Sequence, residues 1–190
     1  MSYIKLSTRV LALSGALAAI SAAVQLIHIG YQSPQWGMWI DVVAVTWIIA
    51  YFLFGLKAAL SVSVVGAIVI TLFAPDTWLG AGMKWIATLP MYASLYLFLR
   101  VSQKNLSDYK NPVHLVTPII LGLIIRCLLV LPLNYYYAIP IWTGMTSAQA
   151  MKVIPWFIIA GFNVIQGIID VVLAWIIVFR FRLFRFADWE

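Results

Sequence analysis

The 190 residues are 64% hydrophobic and only 9% charged, against about 25% charged in a soluble domain. So few charges cannot cover a water-compatible surface, which excludes a soluble globule and makes lipid the solvent for most of the chain. The formal charge of +6 does not point to nucleic acid, because most basic residues flank apolar runs as topology signals do.

A spanning helix needs about 20 apolar residues. The first candidate is Val10–Ile29. Lys5, Arg9 and Ser21-Ala22-Ala23 have the look of a leader and its cleavage site, but the apolar run is long enough to span and is expected to be retained. A polar, aromatic loop from Gly30 to Trp39 follows, and then a short second span from Ile40 to Phe54. Gly55-Leu56-Lys57 reads as a tight turn, Ala58–Ala74 as the third span, and Pro75-Asp76-Thr77 as its end. The fourth span runs from Gly80 to Arg100. A polar loop, Ser102 to Asn111, leads to the fifth, Val113–Leu133. Asn134 to Lys152, with Pro140 and Gly144, reads as irregular. The sixth span runs from Val153 to Phe179, with Pro155 in its first turn, where proline is tolerated. The expected fold is an all-α membrane protein of six transmembrane helices, in one domain covering residues 1–190.

Charge sets the orientation. Lys5, Arg9, Lys57, Arg100, Lys104, Lys110, Arg180, Arg182 and Arg185 fall at one set of ends, nine of the twelve basic residues. The positive-inside rule then places both termini in the cytoplasm of a multi-pass protein of the cell membrane.

Chemistry is sparse. Cys127 is the single cysteine, so no intrachain disulfide forms, and no Cys/His cluster suits a metal. His28 and His114 lie near opposite membrane faces, and no paired carboxylates or phosphate loop occur. An enzyme is the least favoured reading, and any use of ATP would need a partner.

Polar residues inside the spans are the informative ones. Asn163, Gln166 and Asp170 share one face of the sixth helix at i, i+3 and i+7. Such groups either line a cavity or bond one another. Asn163 and Gln166 are read as ligand-lining, against an interhelical polar clamp. Arg126 reaches a depth similar to that of Asp170, and a structural ion pair between them is expected, because a lone buried charge is costly. Lys84 either snorkels to the interface or meets a ligand, and Asp41 suits a helix N-terminus. Trp36 and the run Asn134-Tyr135-Tyr136-Tyr137 are either an interfacial aromatic belt or a lid for a flat ligand. The first helix carries Ala12, Ala16, Ala19 and Ala23, a spacing that lets another helix approach closely, inside this chain or on a partner.

Several stretches resemble the S components of energy-coupling factor vitamin transporters, nearest their riboflavin-specific branch. They are Leu11–Ala19, Asp41–Leu56, Leu133–Pro140 and Phe162–Gly167, taken in order along essentially the whole chain. The branch usually has a lysine where this chain has Gln166, and the proline of its second-helix motif is replaced here by Lys57. The resemblance implies a high-affinity binding subunit that is no enzyme and holds no cofactor. Its partners would be a transmembrane coupling subunit, docked on Ala12, Ala16, Ala19 and Ala23, and two ATPase subunits. It implies a vitamin, with riboflavin foremost, contacted by Asn134 and Asn163; the polarity of the spans and loops adds Gln166 and Lys84 as expected ligand contacts and Tyr135, Tyr137 and Trp36 as aromatic cover. Alternatives are another vitamin, possibly anionic, or a membrane scaffold or assembly protein sharing the fold.

Cysteines placed at Ser107 and Ser147 test the topology. They are expected to react with an impermeant maleimide from opposite sides of the membrane, Ser147 from outside. Labelling of both from one side would reject the six-span arrangement.

Overall fold

A helix that is apolar all round is either enclosed by protein or set in lipid, and Val43–Phe54 is enclosed. In the computed structural model, which describes residues 8–27, 30–33, 38–73, 78–187 and 189, it forms α2. Every residue of α2 from Val43 to Leu53 is buried. Thr46 Oγ1 is satisfied within the helix by donating to the Val43 carbonyl at 2.8 Å. Three helices surround it: α1 (Thr8–Ile27), α3 (Leu56–Phe73) and α8 (Trp156–Trp175). Only Gly55 separates α2 from α3, at φ +82°, and its N–H donates to the Tyr51 carbonyl. That left-handed conformation suits glycine, and it reverses the chain in one residue.

The outer side is closed by α4 (Trp78–Val101) and α5 (Val113–Leu133), which pack against each other more extensively than any other pair. Gly122 permits this. A Cβ there would come within 3.0 Å of Met91 Sδ and 3.3 Å of Met91 Cα. Gly167 plays the same part between α8 and α5, where a Cβ would meet Leu123 Cδ2 at 2.6 Å. Small residues at helix crossings are what close packing in lipid requires. The outward face of α5 is apolar, with Val116, Ile120, Ile124 and Leu128 all more than half exposed at a spacing of four residues.

Three expectations need correction. Asn134–Lys152 is not irregular. The helix continues from Val113 to Thr143 over 31 residues, through a widened turn at Asn134–Ala138 and then α6 (Ile139–Thr143). In the widened turn the Ile139 N–H reaches back five residues, to the Asn134 carbonyl. Such a bulge makes room for the ring of Pro140, which lacks an N–H and would clash in a regular turn. A separate short helix follows, α7 (Ser147–Val153), opened by a reciprocal cap between Thr146 and Gln149. Pro155 stands just outside α8 at its N-cap, in extended conformation, instead of inside the first turn.

Nor is the chain wholly helical. Gly30–Gln32 (β1) and Trp39–Asp41 (β2) form an antiparallel hairpin, pairing Gly30 with Asp41 and Gln32 with Trp39. The hairpin lies where α1 ends and α2 begins. The same end of the bundle carries the end of α3, the start of α4, the end of the long α5–α6 helix and the start of α8.

The opposite end is basic and aromatic. Tyr109 is fully buried there and donates to the Leu95 carbonyl at 2.6 Å. Trp189 folds back to donate to the Phe52 carbonyl at 2.9 Å and stacks on Phe179 and Phe184. Among the described residues, Val113–Thr143 and Trp156–Arg180 are long and apolar enough to cross a membrane, and Leu11–Gln25, Val43–Phe54 and Leu56–Leu72 are shorter apolar helices.

Candidate functional site: a polar cavity beneath the hairpin

The hairpin end encloses a cavity of about 480 Å³, within the size range of small-molecule sites. Its wall takes residues from every surrounding element: Trp39 and Asp41 from the hairpin, Gly80 to Ala87 from α4, Arg126 and Val130 from α5, and Ile159 to Gln166 from α8. Asn134, Ile139, Trp142 and Thr143 line the outer part. At about 1.5 Å per residue, Arg126 lies roughly 12 Å deeper along the helix than Asn134.

Three charged side chains, Asp41, Lys84 and Arg126, line this space, and a fourth, Asp170, is buried behind Arg126. Lys84 forms an ion pair and hydrogen bond with Asp41 Oδ2, while Asp41 Oδ1 accepts from the Val43 N–H at 2.9 Å. Asp41 thus holds the first turn of α2 and a cation on α4 at once. Lys84 neither snorkels free nor stands unpaired in the cavity. Thr88, one turn deeper, donates to the Lys84 carbonyl at 2.7 Å. The second pair is Arg126 with Asp170, whose Nη1 and Oδ2 are 3.7 Å apart, both side chains being almost completely buried.

Gln166 joins the two pairs. Its Oε1 accepts from the Asp41 N–H at 2.9 Å, and its Nε2 donates to the Asp41 carbonyl at 2.8 Å. The carboxamide thereby pairs with a backbone residue as a neighbouring strand would. The other Nε2 hydrogen goes to Asp170 Oδ1 at 2.7 Å. Both donors of Gln166 are committed, so although it lies in the cavity wall, its amide acts as a clamp between α8 and β2.

The two asparagines are less occupied. Asn163 Oδ1 accepts from Arg126 Nε at 3.1 Å, and Nδ2 donates to the Ile159 carbonyl at 3.0 Å, leaving one hydrogen. Asn134 Nδ2 donates to the Val130 carbonyl at 2.8 Å, and its Oδ1 makes no hydrogen bond among the described residues. The cavity therefore offers an acceptor near its mouth and donors deeper in. Met38, Trp39, Ile70, Trp142 and Phe162 supply apolar and aromatic wall.

The aromatic run divides. Tyr135 turns inward, donates to the Ile154 carbonyl at 2.7 Å, and lies outside the cavity lining. Tyr137 is 60% exposed on the outer surface. Trp36 lies outside the described residues. Trp39 and Trp142 are the tryptophans in the wall, and no sequence signal separates them from interfacial aromatics. On α1, Ala12, Ala16, Ala19 and Ala23 are all exposed, while Ala18 and Ala22 face the core. The stripe does not pack within the described residues of this chain.

No protein-family model and no curated protein matches the sequence. A solved structure does match, described as "Structure and mechanism of the S component of a bacterial ECF transporter". The two superpose with a TM-score of 0.74 over 95% of this chain and 98% of that one, at 23% sequence identity. The chain has the fold of an S component. Within that S-component fold, no group of three or more metal-ligating side chains occurs among the described residues.

Gln166→Leu tests the clamp. It removes the partners of a buried backbone N–H and carbonyl at Asp41, a loss of about 1–3 kcal/mol for each unsatisfied group. The expected result is faster amide hydrogen exchange at Gly30–Gln32 and Trp39–Asp41 with α4 and α5 still protected. Unchanged exchange in the hairpin would mean that β2 is held by other contacts.

Proposed function

We propose that this protein is the substrate-binding subunit of an energy-coupling factor importer, with riboflavin or a related flat heterocyclic vitamin as its ligand. The observation that carries the reading is the cavity at one end of an S-component fold, lined by free hydrogen-bonding atoms of Asn134 and Asn163. A site built to hydrogen-bond its ligand selects strongly, since any analogue that leaves those buried groups unpaired is penalised. An acceptor at Asn134 and donors at Asn163 and deeper suit a ring system edged with both N–H and carbonyl groups. Trp39 and Trp142 are suited to cover its faces, because aromatic stacking adds affinity beyond buried area.

The membrane reading has its own support. The described helices turn Val116, Ile120, Ile124, Leu128, Val64, Ile68 and Leu72 outward, an apolar exterior that lipid accepts. Lys57, Arg100, Lys104, Lys110, Arg180, Arg182 and Arg185 gather at the end opposite the cavity. With six spans and cytoplasmic termini, the cavity opens outward, as uptake requires. The exposed alanine stripe of α1 is then a docking face for a transmembrane coupling subunit served by two ATPases. The subunit binds and presents, and catalysis is left to its partners.

Titration of purified protein with riboflavin tests the assignment. Wild type is expected to bind at micromolar concentration or below. Asn163→Ala removes a ligand contact and the partner of Arg126 Nε, so affinity should fall by roughly 5- to 150-fold. Binding of a carboxylate vitamin in place of riboflavin would overturn the substrate. Binding of no vitamin would favour a scaffold with this fold.

A further inference from the structure

Arg126 is buried to 97% and makes few of the bonds it needs. A guanidinium carries five N–H donors in a fixed fork. Nε donates to Asn163 Oδ1 at 3.1 Å. Nη1 stands 3.7 Å from Asp170 Oδ2, beyond hydrogen-bond distance, and has no hydrogen-bond partner. Buried donors left unpaired are expensive and call for a partner. Asp170 does not supply one: its Oδ1 accepts from Gln166, and its Oδ2 stands too far from Nη1 for a hydrogen bond. Arg126 lines the deep part of the cavity. Nη1 is enclosed by protein, and Nη2, which makes no hydrogen bond among the described residues, is the donor left for an acceptor entering there.

We infer that Arg126 is a specificity-determining contact, and that the ligand brings to it an uncharged acceptor, a carbonyl oxygen or ring nitrogen. This rests on the reading of the cavity as the ligand site. The charge of the acceptor follows from the surroundings. Asp41 and Asp170 balance Lys84 and Arg126 in formal charge. An uncharged acceptor completes the hydrogen bonding and keeps that balance. A carboxylate at the same place would leave one negative charge in excess in a low-dielectric site and would compete with Asp170 for the same cation. Asn163 becomes a positioning residue for the guanidinium as well as a ligand contact, since its Oδ1 fixes Nε and so aims the fork.

The test uses purified full-length protein, with riboflavin as the uncharged carbonyl-edged probe and biotin as the carboxylate probe. Arg126→Lys keeps a cation beside Asp170 and loses the planar fork. It should weaken riboflavin binding by about 10- to 100-fold. Ala81→Trp, which fills the cavity from α4, should abolish binding. Loss of binding in Ala81→Trp with no change in Arg126→Lys would overturn the role of Arg126 and leave the site standing. No change in either variant would overturn both. Binding of biotin but not riboflavin by wild type would overturn the uncharged acceptor. Should Arg126→Lys fail to fold, the infrared carbonyl stretch of riboflavin on wild-type protein decides. A shift to lower frequency on binding is expected, and a free-solution frequency would overturn the inference.

Discussion

The clamp from Gln166 to the backbone of Asp41 is the contact on which the cavity end depends. It joins residues 125 positions apart in sequence, holding the hairpin to α8. Through the side chain of Asp41 it also fixes the first turn of α2 and the cation of Lys84 on α4. Through Asp170 it reaches Arg126 on α5. One carboxamide therefore links the elements that wall the cavity. Each charge in this network is expensive to bury alone, and the expense falls only when all the elements meet in one register. The polar network thus specifies an arrangement that apolar helix packing by itself would leave loosely defined.

Packing supplies the rest. A buried α2, close crossings at Gly122 and Gly167, and the aromatic seal around Trp189 make the basic end solid. The cavity lies at the other end, where the hairpin connects α1 to α2 and a widened turn lets the α5–α6 helix pass Pro140. The division of labour is physical: apolar complementarity holds one half of the bundle together, and a hydrogen-bonded network shapes the other.

Much of this was legible in the chain because helical spans and their charges are local signals. The start of α5 at Val113 followed from an apolar run that opens after Pro112, whereas the continuation of the helix beyond Leu133 did not. The polar face of α8 was visible from the spacing of Asn163, Gln166 and Asp170, and Arg126 stood at a compatible depth. What those groups bond to was not legible. The pairing of Lys84 with Asp41 joins residues 43 positions apart, and no periodicity records it. The use of Gln166 on a backbone depends on where β2 lies. Strands of three residues carry too little alternation to announce themselves, and Pro140 argues for a break wherever a widened turn cannot be foreseen. The tyrosine run had no signal to tell inward Tyr135 from outward Tyr137, since neighbouring helix positions differ only in what packs against them.

A flat, uncharged vitamin is the proposed occupant of the cavity. The most direct measurement is the identity of whatever leaves the purified protein when it is denatured. Protein isolated gently from membranes would be extracted with organic solvent and the supernatant analysed by absorbance and mass spectrometry. One small heterocycle per chain is expected, with the visible absorption of an oxidised flavin. A colourless extract containing a carboxylate vitamin, or no small molecule even after growth on excess riboflavin, would contradict it.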